Sequence, residues 1–217
     1  TGEGPEQAMD GTQVVVDLAN SPVFVGPAVK EFFEAAGRNV LGAEAKAGVG
    51  HHIALSVVGT ERLESSDYFQ GKLAQERLIR DSGIPYTIIH STQFYEFLPG
   101  IIKSADENGT VRLPTAQVQP IAAENVAEAV ARVAQQAPTN ATTEIAGPER
   151  VPLSELGQRF LQRMQDPRSV VGDRHALYFG AELQDDTLVP VGAAWQGSLD
   201  FEQWFQQSGL TASAPRA

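Results

Sequence analysis

Residues 51–90, HHIALSVVGTERLESSDYFQGKLAQERLIRDSGIPYTIIH, carry the pattern on which the fold turns. His51 to Val58 is a short, largely apolar run of the kind that fills a strand buried on both faces of a parallel sheet. Tyr68 to Ser82 sets Leu73, Leu78 and Ile79 at helical spacing, Gly83 follows its end, and Tyr86 to His90 is again a short buried strand. Strand, helix and strand in this order predict a βαβ unit.

Working upstream, the same rhythm returns. Thr12 to Leu18, TQVVVDL, reads as a strand. The segment AVKEFFEAAGRNVLGAEAKAG then places Val29, Phe32, Phe33, Ala36, Val40, Leu41 and Ala45 on one helical face, with Pro27 to start the helix and Gly48 to stop it. Downstream of Ser91 the pattern loosens. Asn108-Gly109 predicts a tight turn before a short strand, Glu124 to Ala134 an amphipathic helix, TTEIAG a further strand, and LSELGQRFLQRM a helix with Ser154 near its N-cap. Asp166 to Gly197 has weak periodicity, and Phe201 to Phe205 reads as a last short helix, with Trp195 and Trp204 as anchors. The fold class expected is α/β, a doubly wound parallel sheet with a small C-terminal α+β lobe. Along the chain this divides into a partial α/β core over residues 1–98, a lobe interleaved with the remaining sheet over 99–207, and a tail over 208–217, within a single domain.

Composition narrows the function classes. The 217 residues hold 16 Lys and Arg against 27 Asp and Glu, a net charge of −11, with no cysteine. Disulfide frameworks, zinc ribbons and thiol nucleophiles are excluded. Scattered cations on an acidic chain argue against nucleic acid as a partner. With no apolar run of about 20 residues and no signal-peptide pattern, membrane association is not expected and the cytoplasm is the default location. His51 and His52 point to opposite faces of a strand, so no metal site is expected from them. Asn108-Gly-Thr and Asn140-Ala-Thr match glycosylation acceptors, but without a secretory signal they read as ordinary loops.

The most chemical local pattern is Tyr68-Phe-Gln-Gly-Lys72. A tyrosine and a lysine four apart share a helix face, so the ammonium is expected to favour the ionised phenol and bring it toward the working range of an acid. Ser56 closes the preceding strand, and ligands bind at the carboxyl ends of strands in such sheets. Phe94, Tyr95 and Phe97 after the third strand divide between core packing and a substrate pocket.

On these residues, and on VVVDLANSP, RNVLGAEAKAGVGHHIALSVVGTERL, YFQGKLAQERLIRDSGIPYTIIHSTQFYEFL and QPIAAENVAEAVARVA followed by EIAGPERVPLSELGQRF, the chain resembles the NmrA-like branch of the short-chain dehydrogenase/reductase superfamily. The resemblance implies a Rossmann-like fold and NAD(P) as cofactor, with NADP the expected form. It implies Ser56, Tyr68 and Lys72 as the catalytic trio, Asn20, Ser21, Lys72 and the run His90, Ser91, Thr92, Gln93, Phe94 as cofactor-lining residues, and a small carbonyl or quinone-like substrate. His90 stands where many relatives carry arginine. The alternative is a non-catalytic NAD(P)-binding redox sensor acting through a protein partner; a scaffold that binds no nucleotide is a third reading.

A glycine-rich turn between a first strand and a helix is not evident. Thr1-Gly2-Glu3-Gly4 has no strand before it, and Gly48-Val49-Gly50 lies between helix and strand, the reverse of the phosphate-binding order. In strand order 3-2-1-4-5-6 this reading leaves a gap two strands wide between Thr12–Leu18 and His51–Val57. Three outcomes are open: a fragment of a longer protein, direct pairing of the two flanking strands, or a unit supplied by another chain. The first is favoured, and weak NAD(P)H binding by the isolated chain is expected.

Overall fold

The computed structural model describes residues 4–210. In chain order its first half runs α1 (Pro5–Ala8), β1 (Val14–Asp17), α2 (Pro27–Ala47), β2 (His51–Val57), α3 (Asp67–Asp81), β3 (Tyr86–Ser91), α4 (Leu98–Ser104), β4 (Asp106–Glu107) and β5 (Thr110–Leu113). There follow β6 (Gln117–Val118), α5 (Ala123–Ala134), β7 (Ala141–Ala146), β8 (Val151–Pro152), α6 (Leu153–Arg163), β9 (Ser169–Gly172), β10 (Leu177–Tyr178), β11 (Ala181–Glu182), β12 (Trp195–Gln196) and α7 (Phe201–Gln207). Two compact units emerge, with the division falling inside α5. Unit 1 comprises the chain through Ser91 together with Ala127–Ile145, and unit 2 comprises Thr92–Val126 and Ala146 onward.

Unit 1 is a parallel sheet in the order β1, β2, β3, β7. Val14 stands opposite His51, Ser56 opposite His90, and Ser91 opposite Ile145. The two-strand gap between the first strands is thereby corrected. β1 and β2 form a direct four-residue parallel ladder. The 21-residue α2 is ample crossover to return the chain to the neighbouring position, and the ladder satisfies amides that a gap would orphan. Among the described residues no strand flanks the outer side of β1, where Val16 and Leu18 are exposed.

Alternation along β2 decides which groups meet the helices. Ala54 packs with Leu41 of α2, Ile79 of α3 and Ile88 of β3 in one buried cluster, and its same-face neighbours His52 and Ser56 reach Glu44 and Glu76 on those helices. α2 ends at Gly48 in the left-handed region at φ 70°, the stop expected from sequence. The two helices approach closely at Gly71: a Cβ there would lie 2.7 Å from the Phe33 ring.

Unit 2 is built from short pieces. β4 and β5 form a hairpin through Asn108 and Gly109, both at positive φ, the primed-turn geometry that such a pair favours. β5 also pairs in parallel with β9, and β6 pairs antiparallel with β8. The N-cap of α6 lies two residues before Ser154: it is Pro152, which offers no side-chain cap. The first N–H groups of the helix are satisfied by backbone instead, Leu153 donating to the Ala116 carbonyl at 3.0 Å and Ser154 to the Pro114 carbonyl at 3.1 Å. The side chain of Asp200 caps α7 in a reciprocal capping box with Gln203. Of the tail expected over 208–217, residues 211–217 lie outside the described residues, as do Thr1 to Glu3 of the Gly-x-Gly stretch.

Candidate active site

The carboxyl end of β1 leads into Asn20 and Ser21, and the first turn of α3 presents Tyr68 to them. The Tyr68 hydroxyl donates to Asn20 Oδ1 at 3.2 Å, and Asn20 Oδ1 also accepts the Ser21 N–H at 3.1 Å. Ser21 Oγ in turn accepts from the Val23 N–H. The phenol ring sits among Phe24, Phe33 and Phe69, with centroids 5.3, 6.1 and 5.5 Å away. Burial among these rings pushes its pKa up to about 12, the Asn20 hydrogen bond opposing only in part. The expected lowering of the phenol by Lys72 is therefore corrected, because the ammonium is engaged elsewhere.

Lys72 is 3% exposed. Its Nζ donates to the Leu55 carbonyl at 2.9 Å and to Gln75 Oε1 at 3.1 Å, and lies 4.7 Å from the centre of the Phe33 ring. Gln75 Nε2 donates onward to Asp17 Oδ2 at 2.8 Å. Burial brings the lysine down to about 8, with Asp17 and Glu76 opposing. Two oxygens and a ring face account for the ammonium's three donors.

Ser56 belongs to a different cluster. Its Oγ donates to Glu76 Oε1 at 2.5 Å, the same oxygen that His90 Nε2 meets at 2.8 Å, while Arg80 donates to Glu76 Oε2 at 2.7 Å. Burial alone would push this carboxyl up, but hydrogen bonds from His90, Ser56 and Arg80 outweigh it and hold the group below the usual carboxylate range. Ser56 and His90 thus meet Glu76, about two turns along α3 from Tyr68, and neither bonds the phenol; the trio is not joined by hydrogen bonds. Sequence reasoning passed over Asp17, Gln75 and Glu76. The signal was available in Gln75 and Glu76, which fall three and four residues after Lys72 and so share its buried helix face.

The remaining candidates lie at the start of unit 2. Thr92 Oγ1 donates to the Gln119 carbonyl at 2.7 Å. The side-chain amide of Gln93 is buried, and neither its oxygen nor its nitrogen has a partner among the described residues. Phe94 and Phe97 stack at 5.4 Å and 13°, with Phe97 exposed. Tyr95 is corrected from pocket to core: it is fully buried and stacks on Trp204 at 5.2 Å, and burial raises its hydroxyl far above the ordinary value. Tyr95–Phe97 is a short 3-10 turn of about three residues per turn, which sends Tyr95 and Leu98 inward and leaves Phe97 outside.

A dinucleotide asks for a pyrophosphate cradle and for partners at its nicotinamide end. The βα junction after β1 does not fit the first. The Gly26 N–H at the head of α2 already donates to Asp67 Oδ2 at 2.6 Å, and Pro27 has no N–H to offer. A carboxylate thus occupies the place of the anion. The unpartnered Gln93 amide, one donor group and one acceptor, does fit a carboxamide such as that of nicotinamide.

A family model described as NAD(P)H-binding matches residues 4–137. The chain belongs to this NAD(P)H-binding family. Solved structures agree on the fold. The chain resembles the NADPH-dependent quinone oxidoreductase from Escherichia coli, complexed with NADPH, at 21% identity and a TM-score of 0.62, covering 80% of this chain and 59% of that one. The triphenylmethane reductase from Citrobacter sp., complexed with NADP(H), matches at 19% identity and TM-score 0.59 over 80% and 59%. The dTDP-glucose 4,6-dehydratase from Streptomyces venezuelae, with NAD bound, matches at 14% identity and TM-score 0.65 over 99% and 72%. No curated protein matches the sequence. The chain spans 59% of the length of the first two relatives. This member of the NAD(P)H-binding family has a Rossmann-like parallel sheet. Among its described residues no helix is long and apolar enough to cross a membrane, and no group of three His, Asp or Glu side chains is arranged to hold a metal.

Proposed function

We propose that the protein is an NAD(P)H-dependent reductase of small carbonyl compounds, with quinone-like compounds as secondary acceptors. The observation that carries this reading is the Tyr68 hydroxyl, a neutral donor held by Asn20 beyond the carboxyl end of β1. When bound, the dinucleotide supplies the hydride. Hydride addition to a carbonyl leaves an alkoxide, a stronger base than a phenolate, so a phenol raised to about 12 still protonates it. Tyr68 stays neutral throughout the physiological range; its single hydroxyl proton rests on Asn20 Oδ1, turns from there to the developing alkoxide, and is replaced on the phenolate from water. A quinone, by contrast, accepts hydride to become a phenolate-type anion that water can protonate, and it requires no such acid.

The test is consumption of NADH or NADPH with a panel of aldehydes, ketones and 1,4-benzoquinone. Tyr68→Phe is expected to lower carbonyl turnover by about 100-fold or more, the usual contribution of a positioned acid, and to leave quinone turnover within a few fold. Equal rates for the variant and the parent on carbonyls would overturn the role of Tyr68. Saturable dinucleotide binding without turnover of any acceptor would overturn the reductase reading itself in favour of a sensor.

A further inference from the structure

Unit 2 contains a polar recess that the reductase reading does not use. A cavity of about 390 Å³ opens among the residues preceding β6 and β8, the turn after β9 and the segment that follows β11. This is within the range of small-ligand sites. Its walls are pinned by the backbone: the Gln117 N–H donates to the Asp185 carbonyl at 2.8 Å, the Leu153 N–H to the Ala116 carbonyl at 3.0 Å, and the Gln184 N–H to Thr187 Oγ1 at 2.9 Å.

The charges on the lining decide what it can hold. Arg150 and Arg174 both line it, and neither guanidinium meets an acceptor among the described residues. Arg112, by contrast, is paired with Asp173, and Arg168 with Asp166. Three carboxylates also line the cavity, but two are already committed. Glu182 is held by His175 Nδ1 at 2.5 Å, and Asp186 takes part in another interaction. Asp173, beside Arg174 in sequence, is occupied by Arg112 and by the His175 N–H at 2.9 Å. The side chains left open to a ligand are therefore the two guanidiniums and the carboxylate of Asp185, a set that can grip an oxoanion and a hydroxyl together.

We infer that this recess binds a small hydroxylated oxoanion, a sugar phosphate or sugar acid. The planar forks of Arg150 and Arg174 match the oxygens of a phosphate or carboxylate, and the Asp185 carboxylate and Gln184 amide accept hydroxyl hydrogens from the ligand's body. The lining is chiefly polar, which disfavours an apolar or aromatic occupant. This site is independent of Tyr68, so its test reads binding and not turnover.

Calorimetric titration of the chain with glucose 6-phosphate, gluconate, inorganic phosphate and glucose provides that test. Saturable binding of glucose 6-phosphate or gluconate is expected, each tighter than inorganic phosphate, with glucose not binding; which of the two is tighter identifies the anion. Arg150→Ala and Arg174→Ala should each weaken binding about tenfold or more, as loss of a charge-assisted hydrogen bond predicts. Asp185→Asn should weaken glucose 6-phosphate binding relative to inorganic phosphate, whose binding the loss of a negative charge strengthens. Both arginines are exposed, so the variants should melt like the parent. Arg150→Lys and Arg174→Lys, which keep the charge and lose the fork, are expected to bind between parent and alanine variants. Failure of both organic anions to bind, or binding unaffected by either alanine variant, would overturn the site. Inorganic phosphate binding as tightly as glucose 6-phosphate would overturn the role given to Asp185 and Gln184.

Discussion

One helix, α3, buries a cation and an anion a single turn apart, and the two meet opposite fates. Lys72 has neutral partners for its hydrogen bonds, the Leu55 carbonyl and the Gln75 amide, and burial brings it down to about 8. Glu76 has Ser56, His90 and Arg80 directly on its oxygens and is held ionised below the usual carboxylate range. Both side chains are almost fully buried, so depth does not distinguish them. The difference lies in the donors and charges that touch the group: direct charged or strong donors compensate desolvation, and carbonyl dipoles do so only in part.

The sharpest way to break this comparison is to remove the anion. Glu76→Ala leaves Ser56 and His90 without their shared acceptor and Arg80 without its carboxylate, and should destabilise the chain by about 3 to 5 kcal/mol, as breaking a buried charged network does. Urea unfolding would measure it. A loss below about 1 kcal/mol would mean that the cluster is not a structural anchor. The acid limb should shift too: Glu76 is depressed in the folded state, so its contribution is present above the ordinary carboxylate range and is lost as pH falls below it.

Removing the cation should act in the other direction. Lys72 titrates near 8 in the folded chain and at an ordinary 10.5 when unfolded, so between these values the unfolded chain binds more protons and stability rises with pH. The rise amounts to roughly 3 kcal/mol over that window. Lys72→Met should flatten this rise, being level with or more stable than the parent at pH 7 and losing that advantage by pH 10. A variant less stable than the parent at pH 7 by about 2 kcal/mol or more would show that the ammonium's contacts with Leu55, Gln75 and Phe33 exceed its desolvation.

The same contrast explains what could be read from sequence. The strands and helices of unit 1 were legible because burial imposes a period: TQVVVDL, HHIALSVV and YTIIH need only be apolar, and α2 and α3 need only a stripe. The direct pairing of β1 with β2 was less legible, since periodicity says nothing about which strand is the neighbour. In unit 2 the link between β5 and β9 joins Thr110 to Ser169, and no local signal marks a pairing over that separation. The candidate site was legible as a set of residues and not as an arrangement. Tyr68 and Lys72 do share a helical neighbourhood, but a long side chain chooses among acceptors that the sequence does not bring into view, here the Leu55 carbonyl and the Gln75 amide. Ser56 was read as facing a ligand because the acid it meets, Glu76, arrives 20 residues later.

The smallest effect expected is the most informative about chemistry. In a trio where lysine tunes tyrosine, Lys72→Met would raise the Tyr68 pKa. Here the Lys72 ammonium makes no hydrogen bond to the phenol, so Lys72→Met should leave the Tyr68 ionisation near 12 unmoved. Ultraviolet absorbance titration resolves this once Tyr68→Phe has identified the ionisation by deleting it. Stability should change by no more than about 1 kcal/mol in Asn20→Ala, the net worth of one partly exposed hydrogen bond. Above pH 10 the parent should lose stability relative to Tyr68→Phe, because a phenol raised by burial stabilises the fold below its ordinary pKa and ceases to do so as it ionises. A Lys72→Met variant in which the phenol titrates later would instead restore the coupling of lysine to tyrosine, and with it the conventional trio.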